Sequence, residues 1–137
     1  MAQVIFLADT NVVSELVKKV PDVHLMRWLQ TVEHIAVSVV TIEEAHFGLA
    51  WQLNSRKLAL FNAMVQRMHK VYPISESIAA RAGKLRGQLQ AQGIVRSAPD
   101  MLIAATALEH QLIVATRNTR DFLNCALELV DPFVPMR

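Results

Sequence analysis

Cysteine, glycine and long apolar runs are scarce in this chain of 137 residues, and each scarcity excludes a class of protein. The single cysteine, Cys125, excludes an internal disulfide and a zinc site built on several cysteines, so we expect a small buried thiol. The few glycines form neither a phosphate-binding loop nor a Gly-x-Ser-x-Gly elbow. No stretch approaches the roughly 20 apolar residues of a membrane span, and the first apolar run stops at Asp9, too early for a signal peptide. We therefore expect a cytosolic, or cytoplasmic, protein.

A strong excess of one charge is also missing, because the net charge is only +2. Any nucleic-acid-binding surface would therefore have to be local. The five histidines show no paired spacing typical of zinc ligands. Glu43-x-x-His46 matches half of a carboxylate-bridged di-iron motif, but the sequence lacks the second copy that such a site needs.

Apolar residues are abundant at 53%, with 19% charged, which is enough for a packed core in one domain over residues 1–137. Strand-like runs alternate with helical patterns, which favours an α/β fold with a mostly parallel sheet and helices on both faces. The predicted strands are Val4–Ala8, Ile35–Ser38, Val71–Ile74, Leu112–Thr116 and Leu127–Val130. The predicted helices are Asn11–Val17, Val23–Thr31 after a capping Asp22, Thr41–Leu53, one capped by Ser55, one from Ser75 to Gly93, and Pro99–Glu109.

Four acids stand where predicted strands end or predicted helices begin. Asp9 ends the first strand, at the edge of an α/β sheet where ligands bind. Glu44, Asp100 and Asp121 occupy comparable positions. At about 4 Å, each like-charged pair costs on the order of 4 kcal/mol at an effective dielectric of about 20, so clustered acids require protons or a cation. With oxygen ligands alone, that cation is Mg²⁺ or Mn²⁺.

Each acid also has an ordinary structural interpretation. Asp9 is a favoured helix cap. Glu44 completes a capping box with Thr41, three residues earlier. Asp100 suits the dipole in the first turn of a helix, and Asp121 could be a solvated loop acid. The argument for a site therefore depends on the four acids together.

Basic residues flank the later acids. Taken singly they are typical of a solvated face, but together they would suit a phosphodiester substrate. They are Arg81, Lys84, Arg86, Arg96, Arg117 and Arg120.

Four segments in this order resemble the PIN domain, and most of all its VapC and FitB toxins. The segments are Leu7–Asn11, Ser38–Glu44, Pro99–Ala107 and Thr116–Phe122. The resemblance spans essentially the whole chain. It implies a three-layer α/β/α sandwich with a roughly five-stranded sheet, a Mg²⁺-dependent ribonuclease, a small inhibitory antitoxin and a homodimer.

The resemblance also implies roles for individual residues. Asp9, Glu44 and Asp100 match the family's three best-defined acids, and Asp121 rather than Asn118 is the acidic match for the fourth. Thr10 and Thr116 match hydroxyls near the metal. The implied catalytic and metal-binding residues are thus Asp9, Glu44, Asp100 and Asp121, and the predicted substrate-binding residues are Arg86, Arg96, Arg117, Arg120, Thr10, Thr116 and Asn118.

Two other functions remain as alternatives. An RNA-binding module could block translation without cutting, although it would not need all four acids. A phosphoryl-accepting receiver domain has similar layers, but it requires an acidic pair near the first strand, where Thr10 follows Asp9, and an aspartate after the third, where Ser75 stands.

Overall fold

A computed structural model describes residues 3–136 of the chain. Its five strands are Ile5–Ala8 (β1), His34–Ser38 (β2), Lys70–Tyr72 (β3), Ile113–Ala115 (β4) and Leu129–Val130 (β5). Its six α-helices are Thr10–Leu16 (α1), Val23–Leu29 (α2), Val39–Trp51 (α3), Ser55–Gln66 (α4), Glu76–Ala91 (α5) and Ala98–His110 (α6), and Thr119–Phe122 forms a 3-10 turn. None of the helices among these residues is long and apolar enough to cross a membrane.

The five strands form one parallel sheet in the order β3-β2-β1-β4-β5. The chain builds outward from β1 to β3 and then returns to the other side of β1 with β4. The order therefore reverses between β1 and β4, and the carboxyl ends of these two strands border the crevice in which open α/β sheets bind ligands. The predicted parallel α/β sheet is confirmed, and β3 is an edge strand as expected, although it ends at Tyr72 and does not include Pro73.

Alternate residues of the central strands supply the two cores, because successive strand side chains point to opposite faces. Leu7 and Val114 pack with helices α5 and α6. Ala8 and Ala115 pack on the other face, with helices α1 to α4. Helices therefore cover both faces of the sheet, which confirms the three-layer α/β/α sandwich.

Two predicted helix caps, Thr41 and Ser55, are wrong, and in both helices the cap lies earlier in the chain. The Ser38 hydroxyl accepts the Val40 N–H at 3.0 Å, so α3 begins at Val39 and Thr41 lies in its first turn. The Asn54 side chain accepts the Lys57 N–H at 3.0 Å and caps α4 in place of Ser55. In each case a neighbouring polar side chain with extended or turn-like backbone competes successfully for the cap.

Other predicted ends agree with the structure. Asp22 caps α2 and Ser75 caps α5 through side-chain oxygens that accept helix N–H groups. Gly93, just beyond α5, has φ +82°, a conformation that favours glycine. Cys125 is buried, as expected for a packing thiol, and burial raises its pKa.

Candidate active site

Asp9 lies at the junction of β1 and β4, where the strand order reverses. Its backbone N–H donates to the Ala115 carbonyl at 2.9 Å, and the buried Thr116 hydroxyl donates to its Oδ2 at 2.9 Å. Asp9 Oδ1 accepts the Thr10 N–H at 2.8 Å, so this carboxylate does cap α1. Asp9 is therefore held at the carboxyl edge of the sheet by contacts with the end of β4 and with the first residue of α1.

Burial raises the pKa of Asp9, since only 5% of the residue is exposed. Hydrogen bonds from Thr116, Thr10 and Asn11 act in the opposite direction, while the negative charge of Glu44 raises the pKa further. A carboxylate that is buried beside another carboxylate favours a proton or a cation.

Glu44 reaches the same centre from α3. Its Oε1 accepts the Thr10 hydroxyl at 2.6 Å, and the Thr10 Oγ1 lies 3.2 Å from that of Thr41. The prediction of a capping box between Thr41 and Glu44 is wrong, because Ser38 caps the helix. Glu44 is instead tied to the residue after Asp9, whereas Glu43 is exposed.

Asp100 approaches from the first turn of α6, whose cap Ser97 accepts the Asp100 N–H at 3.2 Å. Burial raises the pKa of Asp100, a Ser97 hydrogen bond lowers it, and the charges of Asp9 and Asp121 raise it again. Asp121 lies in the 3-10 turn after β4. The four predicted acids therefore belong to one electrostatic centre assembled from β1, α3, α6 and the turn.

The donor chemistry of this centre fits a hard divalent cation, since its charged groups are carboxylates flanked by threonine hydroxyls. Within residues 3–136, no three or more His, Cys, Asp or Glu side chains are grouped closely enough to hold a metal as they stand. Mg²⁺ usually keeps several waters and takes only one or two protein carboxylates, so a preformed cage is not required.

The predicted substrate-binding arginines have different surroundings. Arg96 donates from Nη2 to the Arg120 carbonyl at 3.2 Å, and its positive charge lowers the pKa of Asp100. Its buried Nε has no hydrogen-bond partner among the described residues, 3–136. Arg120 and Arg86 have exposed side chains, the latter on α5. The guanidinium of Arg117 lies against Glu15 and Phe133.

Asn118 and Asn11 both form hydrogen bonds with the Thr116 hydroxyl oxygen beside Asp9. The Asn118 N–H donates to the Thr116 Oγ1 at 3.0 Å, so its backbone supports the site while its side chain is exposed. Asn11 donates from Nδ2 to Asp9 Oδ2 at 3.1 Å and to the Thr116 Oγ1 at 3.2 Å. Sequence reasoning assigned Asn11 no role, although its position two residues after Asp9, at the start of a helix, was the available signal.

Comparison with known proteins agrees with this geometry. The PIN domain family matches residues 6–126. Toxin FitB of Neisseria gonorrhoeae is 30% identical over 135 residues, covering 93% of this chain and 97% of FitB. The VapC ribonuclease Y4jK of Sinorhizobium fredii is 32% identical over 135 residues, covering 93% and 96% of the two chains.

Solved structures show the same fold. The FitAcB crystal structure from Neisseria gonorrhoeae matches with a TM-score of 0.81 at 31% identity, covering 93% of this chain and 98% of that one. DNA-bound VapBC from Salmonella typhimurium matches with a TM-score of 0.82 at 26% identity, covering 95% and 99%. The chain therefore belongs to the PIN domain family and is similar to its FitB and VapC toxins.

Proposed function

We propose that this protein is a Mg²⁺-dependent endoribonuclease, the toxin of a toxin–antitoxin pair, which hydrolyses RNA phosphodiesters and inhibits growth. The observation that carries the proposal is the electrostatic coupling of the acids: the charge of Glu44 raises the pKa of Asp9, and the charges of Asp9 and Asp121 raise the pKa of Asp100. The similar chains named VapC ribonuclease and tRNA(fMet)-specific endonuclease support it.

Each acid has a distinct task in this proposal. Asp9 and Asp100 hold the cation directly or through water, and Glu44 and Asp121 complete the shell or hold a second, weaker ion. When bound, Mg²⁺ or Mn²⁺ supplies positive charge at the scissile phosphate and lowers the pKa of a water. Thr116 and Asn11 keep Asp9 oriented, and Thr10 does so for Glu44. Arg96, whose charge lowers the pKa of Asp100, and the exposed Arg120, which directly precedes Asp121, would contact backbone phosphates.

A small antitoxin of the VapB or FitA kind is the proposed partner, because similar chains occur in solved VapBC and FitAB complexes. A homodimer and a cytosolic location are parts of the same proposal. The contrasting function is an RNA-binding module that blocks translation without cleavage, and the acid centre argues against it because four carboxylates repel a phosphate chain unless a cation intervenes.

A cleavage assay with and without divalent cation tests the proposal. We expect Mg²⁺ to support endonucleolytic cleavage that leaves a 5′-phosphate and a 3′-hydroxyl, because in-line attack by water breaks the bond to the 3′-oxygen. Chelator should abolish cleavage and added Mg²⁺ should restore it. Full activity in chelator would contradict the metal mechanism, and RNA binding without cleavage in Mg²⁺ would favour the translation-blocking module.

Glu44→Gln separates a role at the metal from a role in the fold. The amide keeps an oxygen for the Thr10 hydroxyl but loses the charge, so we expect cleavage to fall about 10-fold or more with little change in melting temperature. Glu43→Gln is the matched control, because Glu43 is exposed on the same helix and loses the same charge. Equal activity in the two variants would remove Glu44 from the catalytic set.

A further inference from the structure

Arg117 directly follows Thr116, whose hydroxyl contacts Asp9, yet the Arg117 guanidinium contacts Glu15 and Phe133 and not the four acids of the site. Its Nη2 lies 3.6 Å from Glu15 Oε1, and its guanidinium carbon lies 3.8 Å from the centroid of the Phe133 ring. Glu15 is only 6% exposed, and Asp131 Oδ1 accepts the Phe133 N–H at 2.9 Å. The arginine thus joins helix α1 to the segment after β5.

Glu15 is a strong anchor for this contact. It also accepts the Asp22 N–H at 2.9 Å and lies 2.8 Å from the Lys18 ammonium. The Lys18 hydrogen bond, followed by the Asp22 N–H and the charges of Lys18 and Arg117, lowers the pKa of Glu15 against the effect of its burial. Glu15 is therefore an ionised partner for the Arg117 guanidinium, whose side chain is 49% exposed.

The backbone N–H of Arg117, unlike its guanidinium, is directed toward the acids. Its N–H donates to Asn11 Oδ1 at 3.0 Å, while Asn11 Nδ2 donates to Asp9 Oδ2 and to the Thr116 hydroxyl oxygen. These three contacts define the orientation of the Asn11 amide, because a flipped amide would set its oxygen against the Asp9 carboxylate and its donors against the Arg117 N–H. A continuous set of contacts therefore runs from Glu15 and Phe133 to Asp9.

We infer that Arg117 is a positioning residue: its guanidinium, held by Glu15 and Phe133, fixes the backbone N–H that anchors Asn11, and Asn11 orients the Asp9 carboxylate. This inferred role is an alternative to the RNA contact that the sequence predicts for Arg117. The inference rests on the proposed metal-dependent function, since orienting Asp9 matters through the cation that Asp9 holds. Groups that orient a metal ligand are typically worth about 10- to 100-fold in metal affinity or activity.

Arg117→Gln and Arg120→Gln form a matched pair, because both remove one positive charge from the same loop and only the first breaks the contacts to Glu15 and Phe133. Mn²⁺ binding to the metal-free full-length protein is measured by calorimetry without RNA, and kcat and KM for RNA are measured at saturating Mg²⁺. For Arg117→Gln we expect Mn²⁺ affinity about 10-fold weaker and a lower kcat, with KM unchanged. Arg117→Lys, which keeps a cation for Glu15 and the ring, should restore most of the loss.

A residue that contacts RNA directly, as proposed for Arg120, should give a different result in these measurements. Arg120→Gln should keep its Mn²⁺ affinity, raise KM and reduce the salt dependence of RNA binding by about one phosphate contact. If Arg117→Gln behaves in this way, or keeps normal Mn²⁺ affinity, the inference is overturned. If Arg117→Gln does not fold, Phe133→Leu replaces it, and normal Mn²⁺ affinity there has the same consequence. Asp9→Asn serves as the reference for lost Mn²⁺ binding. If the wild-type protein also binds no Mn²⁺, the proposed function itself is overturned.

Discussion

Asp100→Asn is expected to lower RNA cleavage by about 1,000-fold while leaving the protein at least as stable at neutral pH. The loss follows because cation stabilisation of a phosphoryl transition state is worth several kcal/mol, and each 1.4 kcal/mol or so is tenfold in rate. The gain in stability follows because burial, with the charges of Asp9 and Asp121, raises the pKa of Asp100. RNA cleavage and urea unfolding of wild type and variant measure the two effects.

The raised pKa of Asp100 also predicts how the stability difference between Asp100→Asn and the wild type changes with pH. A carboxyl whose pKa is raised in the folded state binds its proton more tightly there than in the unfolded chain. The charged form of Asp100 therefore costs folding free energy above the raised pKa, and the cost disappears as the pH falls to the ordinary value of 3.8. We expect the stability advantage of Asp100→Asn to be present at neutral pH and to vanish at that lower pH. An advantage that grew on acidification would contradict this explanation.

Two further variants sharpen the test. Glu128→Gln removes one charge from an exposed side chain and should cleave normally. Asp9→Asn should also lose cleavage, but its stability gain should be smaller than that of Asp100→Asn. The new amide donor would face Asn11 or the Thr116 hydroxyl, both of which donate to Asp9 in the wild type.

The sheet was predictable because its signals are local. The apolar runs that became β1, β2 and β4 are short and β-favouring, and alternation with helical patterns leaves few topologies other than a parallel sheet. The predicted helix start at Thr41 and the predicted cap at Ser55 were wrong because the adjacent polar residues Ser38 and Asn54 compete for the cap, and the outcome depends on backbone conformation. Leu53, for example, adopts φ +53°, which places Asn54 to cap α4.

The acids of the site were predictable for the same reason, but their supports were not. Asp9 and Asp100 mark element ends, which a sequence displays. Asn11 contacts a threonine 105 positions away and Arg117 contacts Glu15 and Phe133, so their roles depend on tertiary packing. The charge of Arg117 predicted an RNA contact, and its contacts with Glu15 and Phe133, on which the inferred positioning role rests, have no local signal in the sequence.

A charged residue at Trp51 is expected to weaken binding of the antitoxin by about 30-fold or more, with little change in melting temperature. Trp51 is 81% exposed and Phe47, one turn earlier on α3, is 69% exposed, so neither contributes to the core. Residues four apart share one helix face, and exposed aromatic pairs of this kind are typical interface anchors, worth about 2 kcal/mol or more each. Buried Val12, Val13, Trp28 and Phe61, by contrast, are core residues.

A cavity beside this helix extends to Glu44. It has a volume of ≈ 190 Å³, and α1, α3 and α4 line it with residues that include Val13, Leu49, Phe61 and, at the acid centre, Glu44. An antitoxin helix packed in this groove could present a basic side chain to the carboxylates and compete with the cation. We therefore expect the antitoxin to inhibit cleavage less effectively as Mg²⁺ concentration rises.

Copurification of the co-expressed antitoxin with Trp51→Glu, Phe47→Glu and Val95→Glu measures the prediction, followed by titration of the purified partners. Val95 is the matched control, since it is 75% exposed and precedes α6 rather than lying on α3. Binding should be lost in the first two variants and kept in the third, because only the first two place a charge on the apolar face of α3. Normal antitoxin binding by folded Trp51→Glu and Phe47→Glu would remove this face of α3 as the docking site.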